Sequence, residues 1–256
     1  MASVDIGELE AKIRQMYRQV AKQPHDPYHF EMGRALAQRL GYPDHLLASI
    51  PEGAVESFAG VGYFFDLADL QPREAVIDLG SGSGMDTLIA AALVGAAGRV
   101  VGIDFTIEQL IKARRLAEQA GMHHVELREG RIESLPADDE SFDCAISNGV
   151  INLSPDKRRV FAEAARVLRP GGRLAIADIV TTRQLTGAIV SNADLWASCI
   201  GGAAQQDAYR NLVEAAGLTI KATRANPYEF LSTQARNASA KYGVQSISML
   251  AVKSGR

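Results

Sequence analysis

The 256 residues are 47% hydrophobic and 22% charged, which suits one large core with or without a smaller appended region and excludes a disordered or fibrous chain. A formal net charge of −3 and an isoelectric point near 6.0 offer no basic face for counterion-driven binding, so nucleic acid is disfavoured as a partner. Only Cys144 and Cys199 are present, too few for a disulfide framework and compatible with a reducing compartment.

From Asp5 to Lys22, charged residues are interleaved with Ile13, Met16 and Val20 at helical spacing, which predicts an amphipathic helix. The segment lacks the continuous apolar run of a signal peptide or membrane span, and a cytoplasmic location is expected. Pro24, Pro27, Pro43 and Pro51 break the pattern into short pieces, so residues 1–70 read as a helical N-terminal cap. Between Glu74 and Ile179, apolar strands alternate with amphipathic helices, the signature of βαβ crossovers and a parallel sheet. Ala75–Ile77 begins the first strand, and Met85–Val94 is a helix after a glycine turn. Arg99–Ile103 is the second strand. Thr106-Ile-Glu-Gln109 reads as a capping box for a helix with Leu110, Ala113, Ala117 and Ala120 on one face. Val125–Arg128 and Phe142–Ser147 are the third and fourth strands; Ser154 and Pro155 supply an N-cap and first helical position for a helix ending near Leu168. Pro170-Gly171-Gly172 turns the chain into a fifth strand, Leu174–Ile179. The alternation then lapses over 184–202, with Trp196, Cys199 and Gly201-Gly202. Such an insertion would stand above the carboxyl ends of the strands as a substrate lid. Asp207–Ala216 is a helix stopped by Gly217, and Leu218–Thr223 and Ser246–Val252 are closing strands. The organisation expected is 1–70 cap, 71–180 binding core, 181–206 lid and 207–256 closing elements.

The strongest chemical signal is Ala75-Val-Ile-Asp-Leu-Gly-Ser-Gly-Ser-Gly-Met-Asp86, followed by Asp104 at the end of the second strand. The glycines permit a tight turn and close approach of a ligand, and the helix beyond offers unpaired N–H groups. Asp104 is placed to accept from ribose hydroxyls. Met85 stands where a dinucleotide fingerprint needs its third glycine, whereas Asp78 suits an ammonium group. A nucleoside bearing an ammonium and no pyrophosphate, such as S-adenosylmethionine, meets those requirements. His25 with His29, and His123 with His124, lack Cys or carboxylate companions at ligand spacing, so no metal site is expected. No Ser-His-Asp or Cys-His constellation is evident.

Through Asp78-Leu-Gly80-Ser-Gly82-Ser-Gly84, Gly102-Ile-Asp104 and Leu168-Arg-Pro-Gly-Gly172, the chain resembles the class I S-adenosylmethionine-dependent methyltransferases. Ser147-Asn-Gly-Val-Ile-Asn-Leu-Ser-Pro-Asp-Lys157, Leu174-Ala-Ile-Ala-Asp178 and Trp196-Ala-Ser-Cys-Ile-Gly-Gly202 are similar to arsenite methyltransferases and their homologues, as is Ser57-Phe-Ala-Gly-Val-Gly62. The resemblance implies an α/β, Rossmann-like fold with a seven-stranded, mostly parallel sheet and helices on both faces. It implies that Gly80, Ser81, Gly82 and Gly84 hold the methionine part of the cofactor, and that Phe105 lies against the adenine. Ile132 and Glu133 would meet the adenine edge, although many relatives carry Asp where Arg131 stands. Asn148 would line the path to the acceptor and, with Cys199, is a candidate catalytic residue. Tyr17, Tyr63, Trp196 and Cys199 are expected to close the acceptor pocket.

One departure bears on the acceptor. Arsenite methyltransferases hold trivalent arsenic on cysteine thiolates, and the aligned positions here are Val61, Gly149 and Cys199. A three-thiolate site cannot be built from one cysteine, so a different small-molecule acceptor is expected. The sequence leaves open arsenite methylation with external thiols, a non-catalytic cofactor-binding module, and a nicotinamide-dependent oxidoreductase. The Asn/Asp-Pro-Pro-Tyr string of base-methylating enzymes is missing after the fourth strand.

Overall fold

The computed structural model describes residues 4–197, 200–231 and 233–255. Helix α1 (Ile6–Lys22) begins at an Asp5 cap that accepts from the Glu8 N–H at 2.8 Å, and short helices α2 (Gly33–Leu40), α3 (Asp44–Ala48), α4 (Glu52–Val55) and α5 (Phe65–Ala68) follow. The prolines keep them short: Pro43 and Pro51 each stand immediately before a helix, where a fixed φ and a missing N–H cost nothing.

The sheet then alternates with helices: β1 (Ala75–Leu79), α6 (Met85–Val94), β2 (Arg99–Asp104), α7 (Ile107–Gln119), β3 (Val125–Glu129), β4 (Phe142–Asn148), α8 (Lys157–Val167) and β5 (Leu168–Thr181). The remaining elements are α9 (Gly187–Val190), α10 (Ala193–Ala197), β6 (Ala204–Gln205), α11 (Gln206–Ala215), β7 (Leu218–Ala225), α12 (Thr233–Tyr242) and β8 (Val244–Lys253). Among the described residues the strands run in the order β3-β2-β1-β4-β5-β8-β7, parallel except for antiparallel β8. These are the seven strands expected. An eighth, two-residue β6, pairs in parallel with Val180 and Thr181 at the end of β5.

Alternation along β1 divides the core between the two faces of the sheet. Val76 joins Leu47, Phe64, Ile89 and Cys144 on one face, so residues of α2–α5 share a core with the sheet. Ile77 and Leu79 join Val101, Phe161 and Tyr209 on the other. A smaller cluster of Val4, Leu9, Ile13, Leu153, Ala193 and Trp196 fastens α1 to α10.

Several local readings are corrected. Thr106 makes no side-chain cap bond; Gln109 instead accepts from Ser83 Oγ and donates to the Tyr17 carbonyl at 2.9 Å, since the Thr106 N–H that a capping box would use already donates to Asp104 Oδ1 at 2.8 Å. Asp156, not Ser154, caps α8, accepting from Arg159 N–H at 3.0 Å, while Ser154 Oγ donates to Glu133. Pro170-Gly171-Gly172 lies inside β5. The register against β4 shifts between Phe142 and Cys144, and Gly171 at φ +80° allows that bulge. Helix α12 falls where the sequence reading has no element.

Candidate active site

The strand order reverses between β1 and β4, and at such a switch point the loops beyond the carboxyl ends diverge and open a crevice. The glycine turn after β1 forms its floor. Gly80 has φ +84°, and a Cβ there would stand 2.5 Å from Val150, so both conformation and space require glycine. The Gly82 N–H donates to Asp104 Oδ2 at 2.9 Å, and the Thr106 N–H to Oδ1 at 2.8 Å. The turn after β1 and the exit of β2 are thereby locked to one carboxylate. Burial pushes the Asp104 carboxyl above its ordinary value, opposed by those two N–H groups. Phe105 lines the same cleft with the Arg14 guanidinium 5.1 Å from its ring centroid.

Deeper in the cleft lie two buried carboxyls. Asp78 accepts from Thr87 Oγ1 at 2.6 Å, and burial reinforced by the neighbouring Asp86 raises its pKa to about 8. Asp86 accepts from Tyr42 Oη at 2.6 Å and from Asn148 Nδ2 at 2.9 Å. Burial raises its pKa to about 6 against those two donors. Near neutral pH Asp78 therefore keeps its proton unless a positive group adjoins it. Asn148, the last residue of β4, also accepts from the Val61 N–H at 2.7 Å and donates to the Gly62 carbonyl at 2.9 Å. It fixes the 60–62 loop against the carboxyl pair.

The remaining walls come from the exit of β3 and from α1. Ile132 and Glu133 line the cleft, as do Ser81, Leu9, Glu10, Ile13 and Tyr17. Arg131 pairs with Glu10, which couples the β3 exit to α1. Cleft-lining carboxyls at Glu10, Asp78, Asp86, Asp104 and Glu133 are answered by one guanidinium, Arg131, so the cleft favours positive charge. Ser81 Oγ is buried without a hydrogen-bond partner among the described residues.

Not every expected pocket residue reaches this cleft. Tyr63 packs edge-on against Tyr42, ring centroids 4.9 Å apart, and Trp196 donates its indole N–H to the Val190 carbonyl at 2.7 Å; neither is on the cleft wall. Trp196 backs the wall instead, behind Leu9, Ile13 and Leu153. Cys199 lies outside the described residues. Cys144 is fully buried in β4, where burial pushes its thiol up to about 12. Val61 and Gly149 face each other: a Cβ on Gly149 would lie 3.2 Å from Val61 Cγ1.

Sequence reasoning missed Tyr42, Asp86 and the place of Gln109 on the cleft wall. An acid in the first turn of a helix reads as a dipole complement, which hides Asp86. Tyr42 is brought to it from across 44 positions.

The glycine turn, the acidic end of β2 and the crevice at β1/β4 define the Rossmann-like fold of class I S-adenosylmethionine-dependent methyltransferases. Residues 70–217 match the methyltransferase-domain family model, and the chain belongs to that family, in its arsenite-methyltransferase-like group. It is 41% identical over 181 residues to an arsenite methyltransferase of Halobacterium salinarum, spanning 71% of this chain and 46% of that one. Identity to the human arsenite methyltransferase is 33%, over 79% of this chain and 56% of the relative. The chain thus spans about half the length of these curated relatives. A solved arsenic(III) S-adenosylmethionine methyltransferase from Chlamydomonas reinhardtii superposes with a TM-score of 0.69 at 30% identity, covering 88% of this chain and 74% of that chain.

Proposed function

We propose that the chain transfers a methyl group from S-adenosylmethionine to a small-molecule acceptor. The observation that carries this reading is a single cleft holding the glycine turn, Asp104 and the Asp86–Tyr42–Asn148 network together. The cofactor supplies a sulfonium-activated methyl group. The residues present fit it: the glycines at 80 and 82 bring bare backbone to the cleft, the wall is acidic as a cationic ligand requires, and the orphaned Ser81 Oγ offers a donor and an acceptor. In this reading Asp104 takes the ribose hydroxyls, while Phe105, Ile132 and Glu133 frame the adenine. Gly80, Ser81, Gly82, Gly84 and Asp78 hold the methionine part.

Methyl transfer from a sulfonium is an in-line displacement, so alignment supplies much of the rate. Asn148 contributes by fixing the 60–62 loop; Asp86, at about 6, is an acceptor for a proton leaving the incoming nucleophile. An acceptor without negative charge fits the acidic wall. Calorimetric titration with S-adenosylhomocysteine tests the cofactor: binding by the wild type, lost in Asp104→Ala, is expected. No binding by the wild type overturns the reading.

The names of the relatives favour a second reading, methylation of arsenite. Val61 and Gly149 carry no sulfur, so external thiols such as glutathione would have to complete the arsenic coordination. Incubation with arsenite, glutathione and S-adenosylmethionine decides it: methylated arsenic supports this reading, and an unaltered arsenic species removes it. Under the leading reading, the wild type leaves arsenite unaltered. The paired variant Val61→Cys with Gly149→Cys is expected to retain trivalent arsenic, since the two side chains would lie in contact.

A further inference from the structure

Lys157 opens α8 and is only 8% exposed. Its Nζ donates to the Asn152 carbonyl at 3.0 Å and the Ser154 carbonyl at 2.8 Å, and stands 5.0 Å from the centroid of the Trp196 ring. A buried ammonium is costly unless dipoles surround it. Here the two carbonyls and the negative face of the indole supply them. Asp178 faces the same ground from β5, accepting from Asn152 Nδ2 at 2.8 Å and from Tyr209 Oη of α11 at 2.7 Å. Glu133, from the β3 exit, accepts from Ser154. Those acids partly offset the burial that lowers Lys157 to about 8.

Two neighbours connect this cation to the cleft. The turn whose carbonyls it binds carries Leu153 and Ser154, both on the cleft wall. Trp196 packs against Leu9 and Ile13 of α1, which form the outer wall with Glu10 and Tyr17. Gly202 leaves room for the indole, since a Cβ there would lie 2.6 Å from Trp196 Cε3.

We propose that Lys157 is a positioning residue: acting through Trp196, its ammonium joins the turn after β4 to α10 and so holds α1 over the cleft. Its effect on ligand retention rests on reading the cleft as the S-adenosylmethionine site; its effect on α1 does not.

Hydrogen exchange on the full chain, without ligand, separates the two. Lys157→Met keeps the stem and removes the cation, and is expected to speed exchange of α1 amides at least tenfold while leaving β1 and β4 unchanged. Lys157→Arg restores protection. Trp196→Leu reproduces the Lys157→Met effect, and combining the two adds nothing further. Unchanged α1 exchange, or equal acceleration throughout the sheet, overturns the proposal. The S-adenosylhomocysteine dissociation constant rises at least fivefold in Lys157→Met; no binding by the wild type would refute the cofactor reading while exchange still decides the positioning role. Should Lys157→Met not fold, Lys157→Gln, which keeps a donor for the two carbonyls and removes the cation, supplies the test: faster α1 exchange is expected, and unchanged α1 exchange overturns the proposal.

Discussion

Asp78 and Asp86 are held above the ordinary carboxyl range, to about 8 and about 6, while in an unfolded chain each titrates near 3.9. The folded protein therefore keeps protons that the unfolded chain has released. Their contribution to stability is fully present below about pH 4 and is lost as pH rises, first through the Asp86 value and then through the Asp78 value. The melting temperature of the ligand-free protein is expected to fall from about pH 5 to about pH 8 more steeply in the wild type than in Asp86→Asn, as scanning calorimetry would record. A cation beside the pair reverses the preference, so S-adenosylmethionine binding should release protons and tighten with rising pH. Titrations in two buffers of different ionisation enthalpy measure that release; proton uptake would contradict it. Gly80→Ala places a Cβ 2.5 Å from Val150 at φ +84°, and is expected to lower stability by about 1–3 kcal/mol and to weaken cofactor binding. Unaltered thermal melting would show that Val150 yields without cost.

Elements were legible in the sequence where one face of a segment met the core, and less so where partners lay far along the chain. The strands β1, β2 and β4 stood out because buried parallel strands read as apolar runs between turn signals, while β3, at the sheet edge, shows only Val125 and Leu127 alternating with charged residues. The bulge that carries Pro170–Gly172 into β5 did not, since it depends on the register against Phe142 and Cys144. Helix α12 was invisible because its residues alternate small and polar types without an apolar stripe. Helix α1 was legible as a helix, but its place over the cleft was not: that depends on Arg131–Glu10, Lys12–Asp194 and Gln109–Tyr17 contacts spanning 92 to 182 positions. The Arg131–Glu10 pair is partly exposed, and such pairs contribute under ~1 kcal/mol to folding. Arg131→Ala is accordingly expected to leave the melting temperature nearly unchanged while raising the S-adenosylhomocysteine dissociation constant several-fold. Equal losses of stability and affinity would show that the pair holds the fold together rather than the wall of the cleft.

Across the whole molecule, the sheet determines where the ligand lies and a few distant contacts determine what surrounds it. Gly80 and Asp104 were legible because each sits at the end of a strand, where the topology brings it to the crevice, whereas Phe105, Ile132, Glu133 and Asn148 came from the resemblance to methyltransferase motifs. Tyr42 and Asp86 were not legible, because their hydrogen bond joins a short helical connection to the first turn of α6. Such contacts form only when the core beneath them is complete, and Cys144 reports on that core. It lies in β4 between β1 and β5, with no exposed surface. Two barriers protect its thiol: burial excludes the reagent, and a pKa pushed up to about 12 leaves almost no thiolate at neutral pH. Modification must therefore pass through an opening that parts β4 from its neighbours. Because β4 lies between the two apolar faces, that opening is expected to be global unfolding rather than a local excursion. Alkylation of the Cys144 peptide, followed by mass spectrometry apart from Cys199 across a urea series, should show the same denaturant slope as equilibrium unfolding. A shallower slope would reveal a partial opening of the sheet at β4.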